Sequence, residues 1–371
     1  MMFQQSPLLT ALRRAGAYAA LGGLLTACAQ AASPEPAAQA PPTSLAGTPR
    51  PTSLPGVSQA QTQAPVQLPT AVPSPAVAPL PTVAPTATAV SPLAVPALRA
   101  RAYEGGEVKV LQMLSQNAAY VSHLIEYPSD GLRIRGVMKV PRGTGPFPVV
   151  LLNHGYYAVT AYRSGSGTDN AGDFLARAGY LTLASDYRGF GGSENDASGQ
   201  NAGHRVEYAV DVLNLLAAVP SVPQADAARV GMWGHSMGGE IGLRVLEADR
   251  GQRLKGTVFW APTSGDVRAN NRFYAGGAAP DVAEQIAFQL SPINYISWID
   301  SPVALHQGDR DREVDPQWTV QLRDALQGAG KAVEFFWYPG QDHNWSAGWG
   351  EITPRTLAFF DRTVRSAAPR A

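Results

Sequence analysis

Apolar and polar side chains alternate along two neighbouring segments, residues 120–127 and 132–140, on either side of the stretch Pro128-Ser129-Asp130-Gly131. Alternation with a period of two predicts half-buried strands, and the turn residues between them predict an antiparallel hairpin. Further along the chain, short continuous apolar runs are typical of strands that are buried on both faces. These runs cover residues 149–152, 180–184, 230–233, 256–260, 303–306 and 333–337.

Helical spacing of apolar residues between these runs predicts helices that connect the strands. The predicted helices cover residues 171–178, 209–219, 318–328 and 352–364, together with the segment that follows residue 236. Strands that alternate with helices predict an α/β fold with a mostly parallel central sheet and helices on both faces. Residues 103–371 are numerous enough to form this fold as one domain with a large core.

The chain begins with the pattern of a secretory signal peptide. Arg13 and Arg14 precede an apolar run that ends near Ala27 and is too short to cross a bilayer. Residues 25–28, Leu-Thr-Ala-Cys, resemble the lipobox of bacterial lipoproteins. That resemblance implies a signal peptide over 1–27, lipidation of Cys28, export, and anchoring to the membrane of the cell envelope. The alternative is an ordinary signal peptide with a chance cysteine. Cys28 is the only cysteine, so no internal disulfide can form.

Residues 28–102 differ sharply in composition from the rest of the chain. Pro, Ala, Thr, Ser, Gln and Val dominate there, and charged residues are scarce. Such a segment cannot bury enough apolar surface to offset the entropy of ordering it, which predicts a disordered tether with polyproline character. As a flexible coil the tether would span on the order of 50 Å. A segment that binds peptidoglycan or a partner that recognises proline is the alternative.

Residues 234–238, Gly-His-Ser-Met-Gly, match the pattern G-x-S-x-G between a predicted strand and a predicted helix. A serine at such a sharp turn is held in a strained conformation, and the residues two before and two after it must be small. Gly234 and Gly238 meet that demand. The pattern therefore predicts a nucleophile at Ser236, with its hydroxyl at the N-terminus of the next helix. A glycine-rich turn with an incidental serine is the alternative.

The order of catalytic residues expected for this fold is Ser, then Asp or Glu, then His. Of the six histidines, His343 alone lies downstream of every predicted strand and before the final helix. Asp311 is the predicted acid, because the spacing from Gly308 through Asp311 to Val314 matches G-x-x-D-x-x-V. Asp309 is the alternative acid, and either aspartate could instead cap a turn.

Together these stretches are similar to those of α/β-hydrolases, especially enzymes of the prolyl-oligopeptidase-like and dienelactone-hydrolase-like types. The resemblance implies an oxyanion hole formed by the backbone N–H groups of Tyr156 and Met237, although Tyr156 and Tyr157 depart from the common His-Gly-Gly pattern. It also implies a small lid within residues 263–295. The stretches that carry the resemblance are Pro146–Gly155, Asp186–Ser193, Gly234–Gly239, Gly308–Val314 and Tyr338–His343.

Other classes of site find little support in the sequence. No group of residues has the spacing of metal ligands, and no phosphate-binding glycine motif is present, so we expect no metal and no cofactor. The formal net charge of zero gives no electrostatic reason to expect nucleic acid. We expect His154 and His306 to bond backbone groups and His235 to pack structurally. Arg188 is expected to pair with a loop carboxylate, with substrate contact as the alternative.

These predictions favour a serine hydrolase that cleaves carboxylic esters through an acyl-enzyme on Ser236. The expected substrate is a small-molecule ester or a small peptide. A peptidase of the prolyl-oligopeptidase-like type, acting on small peptides or acyl-amino acids, is the second hypothesis. The third is a catalytically silent lipoprotein that binds ligands at the cell surface. Aromatic residues between 263 and 298 either line an acyl pocket or pack in the core.

Overall fold

A computed structural model describes residues 90–196, 206–250, 252–274 and 283–367. The predicted signal peptide, Cys28 and most of the predicted tether lie outside the described residues. The same is true of residues 197–205 and of residues 275–282, which fall within the predicted lid. No helix of the described portion is long and apolar enough to cross a membrane.

Nine strands of the described chain form one sheet. The strands are β1 (Lys109–Gln116), β2 (Tyr120–Ser129), β3 (Leu132–Pro141), β4 (Phe147–Asn153), β5 (Leu181–Ser185), β6 (Ala225–His235), β7 (Leu254–Trp260), β8 (Val303–Gly308) and β9 (Val333–Tyr338). Their spatial order is β1-β2-β3-β5-β4-β6-β7-β8-β9. The pairs β1–β2, β2–β3 and β3–β5 are antiparallel, whereas β5, β4, β6, β7, β8 and β9 run parallel to one another.

Helices cover both faces of this sheet, as the sequence predicts. Along β4, Val149 and Leu151 belong to one buried apolar cluster and Val150 and Leu152 to a second, because successive strand residues point to opposite faces. The helices are α1 (Val95–Ala100), α2 (Asp169–Arg177), α3 (Val206–Ala218), α4 (Met237–Ala248), α5 (Val267–Tyr274), α6 (Glu284–Leu290), α7 (Pro316–Gly328) and α8 (Trp349–Phe360), with 3₁₀ turns at Val219–Ser221 and Pro292–Trp298 and a π turn at Asp361–Arg365. Side chains of α3 and α4 join the first cluster, and those of α2 and α8 join the second.

The opening hairpin, the six buried strands and the connecting helices of the sequence prediction are all confirmed. Strand β1 was not predicted. It is the edge strand of the sheet, every one of its residues is exposed, and its pairing with β2 contains two register shifts. Without a buried face, its side chains carry no clear alternation for a sequence pattern to detect.

The predicted start of the folded domain at Tyr103 is too late. Helix α1 lies within the stretch predicted to be tether, and its Val95 and Leu98 side chains are fully buried. Arg99 in the same helix donates to the backbone carbonyl of Glu247 at the end of α4. The alanine- and proline-rich composition hides this helix because only two of its side chains face the core.

The position of β4 explains where a site can form. The chain passes from β4 to β5 on one side and then returns to β6 on the other, so the order of strands reverses at β4. Crevices at such a switch point, outside the carboxyl ends of the strands, are where α/β sheets bind ligands. Asn153 of β4 pairs in register with Gly234 of β6, which brings the loops after both strands together.

Candidate active site

Ser236 lies on a strained turn between β6 and α4. Its backbone φ of 57° and ψ of −124° place a non-glycine residue in a region that L-residues rarely adopt. A Cβ on Gly234 would collide with the backbone of Gly238, and a Cβ on Gly238 would collide with the carbonyl of Asn153. The predicted need for glycine on both sides of Ser236 is therefore met by close backbone packing.

His343 and Asp311 form a hydrogen-bonded pair in the loops that follow β9 and β8. Nδ1 of His343 lies 2.7 Å from Oδ2 of Asp311. The other carboxylate oxygen, Oδ1, accepts from the backbone N–H groups of Glu313 at 2.9 Å and Val314 at 3.0 Å. These bonds hold the carboxylate in one orientation, and that orientation directs Nε2 of the imidazole away from it.

The surroundings keep the Asp311 carboxylate ionised. Burial raises the pKa of Asp311, but the hydrogen bond and the charge of His343, together with the backbone N–H groups of Val314 and Glu313, outweigh it and lower the pKa below its ordinary value. Asp309, the alternative acid, instead accepts a hydrogen bond of 2.6 Å from the backbone N–H of Gly340. The structure thus places Asp311, and not Asp309, against His343.

A cleft of about 930 Å³ opens at the carboxyl ends of the strands, and both Ser236 and His343 line it. Its volume falls within the range that is usual for small-molecule sites. Ser236 is 9% exposed and His343 is 4% exposed, so each presents only a small polar surface to the cleft. Aromatic side chains make up much of the remaining wall: Tyr156, Tyr157, Trp233, Trp260, Phe273, Tyr274, Trp345 and Trp349.

The loop after β4 passes directly over the nucleophile. A Cβ on Gly155 would lie 3.1 Å from Cβ of Ser236, which is tighter than most Cβ contacts, so a glycine suits this close approach of the backbone. Tyr156 follows, and its side chain is 69% exposed, which leaves the space beside Ser236 to the backbone. Met237 opens α4 with a buried side chain. Both residues predicted for the oxyanion hole therefore line the cleft next to Ser236.

Comparison with known proteins identifies the family. The model of the prolyl oligopeptidase family matches residues 168–366, which is more than half of the 371 residues and includes Ser236, Asp311 and His343. The chain belongs to the prolyl oligopeptidase family. Membership makes it a hydrolase. A sequence relative, the uncharacterized peptidase YtmA of Bacillus subtilis, is 27% identical over 231 residues, which are 60% of this chain and 85% of the relative.

Solved structures of esterases and peptidases share the fold of this family member. Acetyl xylan esterase 1 from Thermoanaerobacterium aligns with a TM-score of 0.55 at 19% identity, over 72% of this chain and 90% of the esterase. The acylaminoacyl peptidase of Pyrococcus horikoshii aligns with a TM-score of 0.58 at 19% identity, over 69% of this chain and 44% of the peptidase. At such low identity the likeness shows the α/β-hydrolase fold alone.

In this prolyl oligopeptidase family member, three further histidines have distinct surroundings. The ring of His154 contacts the backbone carbonyls of Gly155 and Asp186, at 2.7 and 3.2 Å, which confirms the prediction of backbone bonding. The same prediction is wrong for His306, whose Nδ1 lies 2.7 Å from the hydroxyl of Tyr338. The sequence could not show this contact, because it joins side chains of two neighbouring strands, β8 and β9, that are 32 positions apart in the chain.

His235 has a role that the sequence did not reveal. Its Nε2 lies 2.9 Å from the backbone carbonyl oxygen of His343, and the two imidazole rings are 4.6 Å apart. Burial, and then the neighbouring His343, lower the pKa of His235 to about 4. A neutral ring has one N–H, so Nε2 of His235 donates to His343 at neutral pH. The turn that carries Ser236 is thereby joined to the loop that carries the imidazole of His343.

Arg188 pairs with carboxylates, as predicted, and the pairing is more extensive than expected. One guanidinium nitrogen lies 3.0 Å from the loop residue Asp196, and another lies 2.8 Å from Asp211 on α3. Asp211 is fully buried, and sequence pattern did not identify it as a partner because its α3 neighbours are mostly apolar. Arg188 therefore fixes the loop after β5 to α3.

The segment between β7 and β8 contains α5 and α6, and α5 contributes to the wall of the cleft. Phe273 and Tyr274 of α5 line the cleft and contact Trp318 of α7, at ring distances of 4.9 and 6.2 Å. Both expected roles of the aromatic residues, pocket and packing, are thus present. Trp298 packs against Arg99 of α1 instead. Within the described residues no group of three His, Cys, Asp or Glu side chains is placed to hold a metal ion.

Proposed function

We propose that the protein is a serine hydrolase that cleaves carboxylic esters of small molecules through an acyl-enzyme on Ser236. The observation that supports this most directly is the pair formed by His343 and Asp311, 2.7 Å apart, in the cleft that Ser236 lines from its strained turn. A serine hydroxyl is a weak nucleophile at neutral pH and needs a base that a third group orients. Asp311 supplies that orientation.

In the proposed reaction, Oγ of Ser236 attacks the acyl carbon while Nε2 of His343 accepts the hydroxyl proton. Asp311 holds the Nδ1–H tautomer and stabilises the imidazolium that forms. The bond to the leaving oxygen then breaks, and His343 returns the proton to that oxygen. A water molecule repeats the sequence on the acyl-enzyme, which releases the acid and restores Ser236.

The oxyanion of each tetrahedral intermediate would be bound by backbone N–H groups at Tyr156 and Met237. The support for this is position: both residues flank Ser236, and Met237 stands at the N-terminus of α4, where the free N–H groups and the helix dipole favour negative charge. Removing one donor of this kind typically costs about 100- to 1000-fold in rate.

A peptidase is the second candidate, and the family match favours it. The relative YtmA also carries the name peptidase and has 85% of its length covered by the alignment. Amide hydrolysis would use the same residues, with His343 protonating an amine in place of an alkoxide. The ester proposal rests on the lower intrinsic barrier of an ester and on a cleft of small-molecule size.

We also propose that the protein is exported and anchored to the membrane of the bacterial cell envelope through lipid on Cys28. The support is the sequence of residues 1–28, with paired arginines, an apolar run and a lipobox-like ending. The proline-rich segment after Cys28 would then hold the hydrolase away from the lipid surface.

The experiment that tests the proposed function compares kcat/KM on p-nitrophenyl esters of increasing acyl length with kcat/KM on aminoacyl p-nitroanilides. We expect ester hydrolysis to dominate, and Ser236→Ala to abolish it while circular dichroism and the unfolding transition stay unchanged. Faster cleavage of the anilides would favour the peptidase. Ester hydrolysis by Ser236→Ala near the wild-type rate would exclude the proposed nucleophile.

A further inference from the structure

Glu313 is held near His343 by three hydrogen bonds. Its backbone N–H donates to Asp311 at 2.9 Å, and its backbone carbonyl accepts from the hydroxyl of Tyr274 at 3.1 Å. One carboxylate oxygen, Oε1, accepts from the side-chain amide of Asn344 at 3.1 Å. The residue therefore has a defined position in the wall of the cleft, although its side chain is 62% exposed.

The second carboxylate oxygen of Glu313 faces the reacting nitrogen. Oε2 lies 3.9 Å from Nε2 of His343, the atom that returns the proton to the leaving group in the proposed reaction. A leaving group that receives this proton must lie within hydrogen-bond reach of Nε2. The carboxylate of Glu313 is therefore on the side of the cleft where the leaving group binds.

Two aromatic rings line the same cleft as this carboxylate. Phe273 and Tyr274 of α5 both line the cleft, and their ring centroids are 5.0 Å apart. The hydroxyl of Tyr274 donates a hydrogen bond to the backbone carbonyl of Glu313. Phe273 is 46% exposed and Tyr274 is 47% exposed, so part of each ring is available to a ligand. Aromatic faces attract organic cations, and a carboxylate adds a charge of the opposite sign.

The other charged side chains of the cleft differ from Glu313 in their surroundings. Asp169 is paired with Lys139, whose Nζ lies 2.5 Å from Oδ1. Arg312 precedes Glu313 and also lines the cleft, with an exposed side chain. It offers a matched control of opposite charge in the same loop.

We infer that Glu313, with the rings of Phe273 and Tyr274, selects ester substrates whose leaving group carries a positively charged ammonium. This inference rests on the proposed ester hydrolysis and names the class of leaving group that the site prefers. The carbonyl oxygen of the acyl group would face the backbone N–H groups of Tyr156 and Met237.

The test compares two acetate esters of nearly identical shape, acetylcholine and its uncharged analogue 3,3-dimethylbutyl acetate, on the full-length protein. We expect kcat/KM for the charged ester to be about tenfold higher, in line with one partly exposed charge and two ring contacts. Glu313→Gln keeps the shape and the bond to Asn344. It should bring the ratio close to one, mainly through a higher KM for the charged ester, and should change kcat/KM for the uncharged ester far less.

Arg312→Gln is the control, and it should keep the preference or increase it. An equal loss on both esters in Glu313→Gln would mean that the carboxylate acts on the His343 imidazolium and would overturn the inference. So would equal turnover of the two esters by the wild type, or turnover of neither, in protein whose Ser236 reacts with a fluorophosphonate. Protein that does not react with the fluorophosphonate at all would instead overturn the proposed function.

Discussion

Nε2 of His235 donates a hydrogen bond of 2.9 Å to the backbone carbonyl of His343, so the residue before the nucleophile holds the loop that carries the base. Ser236 stands on the rigid turn between β6 and α4, whereas His343 stands in a loop after the last strand. A direct bond between the two segments limits how far the imidazole can move relative to Ser236. His235 is thus a positioning residue.

Replacing His235 by Phe should lower kcat by about ten- to a hundredfold with a small change in KM, because a displacement of the base of about 1 Å has an effect of that size. His235→Gln retains a donor and should recover most of the activity. Steady-state kinetics on one ester would measure both variants. Equal losses in both would indicate that the ring, and not its hydrogen bond, is what the site needs.

Replacing Asp311 by Asn should lower kcat by about three to four orders of magnitude, because an amide at this position favours the wrong tautomer of His343. Asp309→Asn is the matched control two residues away. It keeps the oxygen that accepts from Gly340 and should remain close to wild type. A reversed pattern, with Asp309→Asn inactive and Asp311→Asn active, would reassign the acid.

Two buried histidines should make the fold less stable in mild acid. Burial lowers the pKa of His154 to about 4 and that of His306 to about 3, against an ordinary value near 6.5. Each ring is neutral in the folded protein at pH 5 but protonated in the unfolded chain. The stability that each contributes is therefore complete above pH 6.5 and is lost progressively as the pH falls toward the folded pKa.

His306→Gln isolates this effect, because all other groups titrate alike in both proteins. The loss of unfolding free energy between pH 7 and pH 5 should be smaller in the variant by about 2 kcal/mol. Urea titrations at the two pH values measure it. An identical loss in variant and wild type would show that His306 is charged in the folded protein.

Replacing Cys28 by Ser should release the protein from the membrane fraction of the bacterial cell, because a serine cannot carry the thioether-linked lipid. Fractionation followed by immunoblotting tests this. Retention of the variant at the wild-type level would contradict lipidation at Cys28. Its esterase activity should not change, since Cys28 lies more than a hundred positions before Tyr156, the first residue proposed to take part in catalysis.

The sequence predicted the fold and the catalytic candidates where local pattern decides them. The continuous apolar run of β4 and the glycines around Ser236 are local features of the sequence, and the spacing from Gly308 to Val314 was enough to prefer Asp311 over Asp309. Contacts between residues that are far apart in the chain produce no local sequence pattern, so they could not be predicted. The bond from His235 to His343 spans 108 positions. The pairing of Arg188 with Asp211 depends on a helix packing against a loop.

Strand β1 and helix α1 were missed for a different reason. Strand β1 has no buried face, and α1 buries only two side chains, so neither has a full hydrophobic period. Both depend on partners supplied by the rest of the fold, β2 for one and α4 for the other. Sequence pattern alone does not detect such elements at the edge of a domain, because the strand or short helix packs against a core that the rest of the chain forms.

The most direct test of the central claim is labelling with a fluorophosphonate, which needs only an activated serine. Full-length wild type, Ser236→Ala and His343→Ala would be incubated with the probe, and the adduct would be located by mass spectrometry of peptides. We predict one adduct, on Ser236, in the wild type and none at that position in either variant. Folded wild-type protein that is not labelled would contradict the catalytic account and would favour a protein that binds ligands without hydrolysing them.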